Sequence, residues 1–211
     1  MQIQYVSSTE LAEMDKPITA EGVLLAMPFT HSDFAQRAAQ LMSLRADAPG
    51  LILAIHDAKQ EGFVSLINQV FTNSRSAYFA YVAQDAFAGR SWLKLALQAM
   101  GENKGLLGFN DGKWAGALAG FGLARRSWAS TNYEGLFFHP HYQRHYADAE
   151  LTLLALQAGV YAYDPASVLV EVDWDKDGAA VDEHDRTLFL ERKKSGFDAK
   201  VSDTRLLSLI S

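Results

Sequence analysis

The chain has 211 residues, of which 49% are hydrophobic and 21% charged, which suits one domain of ordinary size with its own core. It contains no cysteine, which excludes disulfides, thiolate zinc centres and cysteine nucleophiles and fits a reducing compartment. The formal net charge is −6, and Lys and Arg are scattered, with runs no longer than Arg125-Arg126 and Arg192-Lys193-Lys194, so a nucleic-acid surface is not expected.

The opening MQIQYVSSTELAEMDK has neither a basic start nor a continuous apolar core, so it does not read as a signal peptide. No apolar run approaches the ~18 residues of a membrane-spanning helix. A cytoplasmic protein without a membrane span is expected. Ser7 to Glu10 carry the pattern of a capping box, opening a short helix that ends before Pro17. VLLAMPF (23–29) is a continuous apolar run and predicts a buried strand. Residues 31–46 place Phe34, Ala38, Leu41 and Met42 at helical spacing, and LILAIHD (51–57) is a second apolar strand. Residues 61–73 predict a helix from Phe63, Leu66, Ile67 and Val70. AYFAYVAQD (77–85) predicts a third strand, 91–100 a third helix stopped by Gly101, and LLGF (106–109) a fourth strand before the turn Asn110-Asp111-Gly112.

This alternation predicts an α/β fold, a mostly parallel central sheet flanked by helices, with right-handed crossovers. Ligands of such folds sit at the carboxyl ends of the strands. Those ends offer Pro28-Phe29-Thr30, His56-Asp57, Gln84-Asp85 and Asn110-Asp111, so three of the four present an aspartate. Beyond 112 the chain turns glycine-rich. Ala117 to Ala124 predicts a strand, 148–158 a helix closed by Gly159, 167–174 another strand, 175–183 an acidic loop, and 185–198 a helix with a basic last turn. Residues 22–112 and 113–211 read as two halves of one domain.

Several motifs are excluded. Gly120-x-Gly122 lacks the third glycine of a dinucleotide-binding turn and opens a strand. No phosphate loop, no Gly-x-Ser-x-Gly elbow and no helical zinc-protease pattern occurs. His139, His141 and His145 fall within seven residues but not at helical ligand spacing, which favours loop or acceptor-side contacts over a metal site.

The stretches IHDAKQEG (55–62), YVAQDAFAGRSWL (81–93), GLLGFNDG (105–112) and YADAELTLLALQAG (146–159) together resemble glycosyltransferases of the A fold, especially inverting family 2, over roughly residues 22 to 175. The resemblance implies that Asp57 contacts the nucleoside, with Pro28, Phe29, Gln84, Asn110 and Asp111 shaping the nucleotide and donor side. It implies that Asp85 holds Mn²⁺ or Mg²⁺ against the diphosphate, with His184 as a further ligand, and that Asp148, at a helix start, is the catalytic base. Ala83 stands where that family carries a first acidic residue. Arg125, Arg126, His139, His145 and Glu150 are expected on the acceptor side.

The same residues have plainer readings: a turn-forming Asp57, an N-cap Asp148, solvated arginines, and Trp114, Trp128 and Trp174 as large packing residues. The expected function is transfer of a sugar from a nucleotide diphosphate sugar to a carbohydrate or other hydroxyl acceptor. The alternative is a catalytically inactive relative that binds nucleotide or sugar, motivated by Ala83. A nucleotidyltransferase ranks last, because PFTHSDF (28–34) has neither glycine nor lysine.

Overall fold

A computed structural model describes residues 1–172 and 182–210. In chain order its elements are β1 (Gln2–Ser7), α1 (Ser8–Ala12), β2 (Ile18–Thr19), β3 (Val23–Phe29), α2 (Ser32–Arg45), β4 (Leu51–His56), α3 (Phe63–Thr72) and β5 (Ser74–Arg75). There follow β6 (Tyr78–Tyr81), β7 (Ala86–Ala88), α4 (Trp92–Met100), β8 (Leu106–Asn110), β9 (Gly122–Arg125) and α5 (Arg126–Ala129). The last are α6 (Ala147–Gln157), β10 (Tyr161–Glu171), α7 (Glu183–Lys194), α8 (Gly196–Ala199) and α9 (Thr204–Leu207).

The main sheet has the order β1-β4-β3-β6-β9-β8-β10-β7. β1, β4, β3 and β6 are parallel to one another. β9 runs antiparallel to both β6 and β8, and β8 pairs parallel with β10. β8 and β10 therefore point the same way as β3, β4 and β6. The short β7 closes the far edge antiparallel to β10. The expected mostly parallel α/β sheet is present.

The apolar runs follow from burial on both faces. Leu24 and Ala26 of β3 pack with α1, α3 and α6 on one side; Val23, Leu25 and Met27 pack with α2 and α4 on the other. A strand sandwiched this way has no polar face, which is why VLLAMPF shows no alternation. Each fully buried Leu or Ile here contributes roughly 1.5–3 kcal/mol. The capping box forms as expected: Ser7 Oγ accepts from the Glu10 amide, and the Glu10 carboxylate accepts from the Ser7 amide at 2.7 Å.

The structure differs from the sequence expectations in five places. β1 was not anticipated, because QIQYVS is an edge strand whose largely exposed positions leave no apolar run. The strand expected over 77–85 is β6 alone; Val82 to Asp85 leave the ladder before β7 begins. The strand expected over 117–124 is only β9, since 112–121 forms a loop with Ala115 at φ +46 and Gly116 at φ +82. The helix expected over 185–198 begins at Glu183 and stops at Lys194, and Phe197 and Asp198 then adopt left-handed backbone. The strand expected over 167–174 belongs to the longer β10; its last two residues, including Trp174, and the expected acidic loop up to 181 lie outside the described residues.

Candidate active site

The parallel strands deliver their carboxyl ends to one edge of the sheet, and the functional candidates cluster there. Phe29 ends β3 and His56 ends β4, paired in register. Their rings stack at 5.4 Å with 30° between planes, and His56 is exposed. Pro28 is buried beside them within the sheet. The Asp57 carboxylate receives the amides of Glu61 and Gly62 at 2.8 and 3.0 Å, which closes the turn into α3. Gln84 Oε1 receives the amides of Thr30 and His31 at 2.9 and 2.8 Å, fastening the turn after β3 to the end of β6. Gln84 and Asp85 also border a groove of about 540 Å³ whose far wall is Phe34, Arg37 and Leu41 of α2.

Further along the same edge, Asp85, Asp111 and Glu171 are drawn together by backbone. The Val172 amide donates to the Asp85 carbonyl and the Glu171 amide to the Asp111 carbonyl. Asp85 is 8% exposed and Asp111 1%. Asp148 faces this group from the first turn of α6. Burial pushes its carboxyl up to about 7, with the Glu171 and Asp111 charges adding to the rise and the Ala149 amide, 2.9 Å from Oδ1, opposing it. Tyr81 and Tyr161 complete the surroundings, both phenols raised first by burial and then by neighbouring carboxylates and phenols. Lys113 approaches Glu171 at 3.7 Å.

The N-cap of α6 is not Asp148 but Tyr146, held at φ +63; Asp148 is the second helical residue. The turn before it is fixed by Asp185 of α7, a fully buried carboxylate that accepts from the amides of Gln143, Arg144 and His145 at 2.8–2.9 Å. Thr152 Oγ1 ties the next turn of α6 to the amide of Ala119 at 3.1 Å. The base candidate is thus set from both sides by polar groups that the sequence reading did not single out. Nothing in spacing marks Asp185 or Thr152, because their partners lie 33 to 42 residues away.

Several expected residues sit elsewhere. Arg125 and Arg126 are not on the acceptor side. β9 is antiparallel, so its carboxyl end lies beside Tyr78 at the amino end of β6. Arg125 donates to the carbonyls of Lys104 and Gly101. Arg126 donates to Phe71 and Ser76 carbonyls and packs its guanidinium 4.3 Å from the Phe71 ring centroid. Burial, then the nearby Arg75 charge, brings its guanidinium down to about 10.

Glu150 is fully buried and grips Arg192 of α7 through two 2.7 Å contacts, with the Tyr142 hydroxyl donating to it at 2.8 Å; it is a strut between helices, not an acceptor contact. His139 is half-buried against Tyr133 and Tyr142, and burial followed by the Arg192 charge lowers its imidazole. His145 is exposed and its Nδ1 accepts from the Asp182 amide. His184 is exposed on α7, with Nε2 3.3 Å from the His141 carbonyl oxygen. Among the described residues no three His, Asp or Glu side chains converge in a metal-holding group, so His184 does not join Asp85 in a closed site. Asn110 stands on the expected edge but spends its amide on the Pro165 carbonyl and the Gly112 amide. Trp128 lies against Gly105 and the core, whereas Trp114 is 46% exposed.

No family model and no curated protein matches this chain. Solved structures do. A mannosyltransferase from Pyrobaculum calidifontis, in complex with GDP-mannose and Mn²⁺, is similar with a TM-score of 0.54 and 10% identity over 80% of this chain and 63% of its own. TarS 1–349 from S. aureus is similar with a TM-score of 0.50 and 11% identity over 87% of this chain and 76% of its own. The fold is the glycosyltransferase A type, with the parallel strands β1, β4, β3 and β6 followed by the mixed half that carries α6. The chain spans less than two thirds of the mannosyltransferase's length. Among the described residues no helix is long and apolar enough to cross a membrane.

Proposed function

We propose that the protein is an inverting glycosyltransferase that moves a sugar from a nucleotide diphosphate sugar to a hydroxyl acceptor. The observation that carries this reading is the position and acidity of Asp148. Its carboxyl is pushed up to about 7 by burial, near the charges of Glu171 and Asp111. A base with a pKa near the working pH combines an available ionised form with real proton affinity. In the proposed step the Asp148 carboxylate takes the proton of the acceptor hydroxyl. The acceptor oxygen forms the new bond to the anomeric carbon, and the bond from that carbon to the diphosphate oxygen breaks, leaving the electron pair on the nucleotide.

Pro28, Phe29, His56 and Gln84 border the place for the nucleotide, and Asp57 shapes its floor through the 57–62 turn. For Mn²⁺ or Mg²⁺ the donor set fits an ion that arrives with the diphosphate. Asp85 would supply one carboxylate, with phosphates and water completing the shell, as hard cations are commonly shared. Such an ion, when bound, neutralises charge on the departing diphosphate.

The test is release of nucleoside diphosphate from UDP-glucose or GDP-mannose, with sugar acceptors and Mn²⁺, by the parent chain and by Asp148→Asn. The reading expects turnover by the parent and a loss of about 10²-fold or more in the variant. Equal turnover would remove Asp148 from its role. A second reading, binding without transfer, is favoured by Ala83, which stands where the resembled family carries a first acidic residue. Calorimetric binding of a nucleoside diphosphate with no turnover of any donor selects it.

A further inference from the structure

Two buried polar atoms lie under the loop between β8 and β9. Asp111 Oδ1 receives the amides of Lys113 and Trp114 at 2.9 and 2.8 Å. Its Oδ2 has no hydrogen-bond partner among the described residues, and neither has the hydroxyl of Tyr161. Both atoms are buried, and each has a glycine beside it. A Cβ placed on Gly120 would stand 3.1 Å from Asp111 Oδ2, and one on Gly108 would collide with the Tyr161 hydroxyl and lie 3.3 Å from Ala119 Cα. The same Gly120 position is 3.5 Å from the ring of Trp114, which is exposed. Buried polar groups are normally paired, so two neighbouring orphans ask what pairs them.

The chemistry of the pair narrows the answer. The carboxylate needs a donor, and the phenol hydrogen needs an acceptor. A phosphate brings only acceptors to a carboxylate and is repelled. An ammonium leaves the phenol hydrogen without an acceptor. A hydroxyl satisfies both, donating to Asp111 and accepting from Tyr161. An exposed indole beside it suits the apolar face of a sugar ring.

We propose that Asp111 Oδ2 and the Tyr161 hydroxyl bind one hydroxyl of a pyranose, with the Trp114 ring against the sugar, when the 112–121 loop lifts. Gly112, Ala115 and Gly116 in this loop all have left-handed backbone. It is held down over the pair by two bonds, Tyr81 hydroxyl to the Ala119 carbonyl at 2.5 Å and the Ala119 amide to Thr152. This rests on the transferase reading for the source of the sugar, which is the donor or the acceptor.

The experiment follows tryptophan fluorescence and calorimetry of the full chain with UDP, GDP, UDP-glucose, GDP-mannose, methyl α-glucopyranoside and methyl α-mannopyranoside, each with Mn²⁺. Tyr161→Phe and Asp111→Asn are compared with the parent, and thermal melts confirm that each is folded. The expected result is a dissociation constant for the sugar-bearing probes raised about five- to tenfold in Tyr161→Phe, with UDP and GDP unchanged. Trp114→Phe should abolish the sugar-dependent fluorescence change. An effect on nucleotide sugars alone assigns the subsite to the donor; an effect on the methyl glycosides assigns it to the acceptor. Sugar binding within twofold of the parent in both variants overturns the proposal and leaves the pair bridged by a structural water only. Methyl glycoside binding that is lost in Tyr161→Phe, in a protein that binds no UDP or GDP, keeps the subsite and sinks the transferase reading. A parent that binds none of the sugar probes overturns the subsite.

Discussion

Replacing Asp148 by Asn should make the protein inactive and, above neutral pH, more stable. The carboxyl is raised from its ordinary 3.8 to about 7 in the fold, with burial as the main cause and the Glu171 and Asp111 charges behind it. Between those values the folded chain holds a proton that the unfolded chain has released. Stability from this group is therefore full below about pH 4, falls as pH rises, and is lost above about pH 7. The separation of the two values, at about 1.4 kcal/mol per pH unit, sets a ceiling of about 4 kcal/mol, which partial exposure of the side chain reduces toward about 2. Asn keeps an oxygen for the Ala149 amide and removes the charge. Urea unfolding of parent and Asp148→Asn from pH 4 to pH 8.5 should give curves that coincide at the acid end and separate by about 2–4 kcal/mol at pH 8, the variant being the more stable. In the parent, kcat/KM should rise through a step near pH 7 as the base ionises. A variant whose stability tracks the parent at every pH would refute the claim that this carboxylate is held in a costly environment.

Other perturbations separate struts from chemistry. Arg192→Met strands the buried Glu150 carboxylate and should cost about 3–5 kcal/mol in urea unfolding, with most of it regained in Glu150→Gln/Arg192→Met. Asp185→Ala leaves three amides of the 143–145 turn without their acceptor; kcat should fall more than KM changes, and limited proteolysis should cut between 139 and 146. Arg126→Lys loses the guanidinium fork and its ring contacts, so stability should drop by about 1–2 kcal/mol while kcat/KM stays within twofold, because this residue lies at the other end of the strands.

The left half of the fold was legible because its physics is local. β3 and β4 are buried on both faces and say so in unbroken apolar runs, and α3 and α4 carry their apolar residues at helical spacing. The same regularity put Asp57, Asp85 and Asp111 at one edge before any coordinates. The right half was harder. β9 reverses direction, and nothing in GLAR announces it, so Arg125 and Arg126 were expected at the wrong end. Glu150 was expected on the acceptor side because its partner, Arg192, is 42 positions away and invisible to local spacing. Glu171 was visible only as a residue of the strand after α6, and its place beside Asp148 depends on how β10 meets β8 and β7. Long-range electrostatics has no period, and periodicity is what a single sequence displays.

The clamp that α7 places on α6 also sets an order of assembly. Phe29, Gln84 and Asp85 belong to the first 85 residues; β3 pairs with β4 and β6, and β6 pairs further only with β9. The turn before Asp148 waits for Asp185, and the helix that bears Asp148 waits for Arg192. In a chain made from its amino end, β3, β4 and β6 can pair while the helix that bears Asp148 is still unfastened. For the proposed base, the setting is complete only once residues 185–192 have docked.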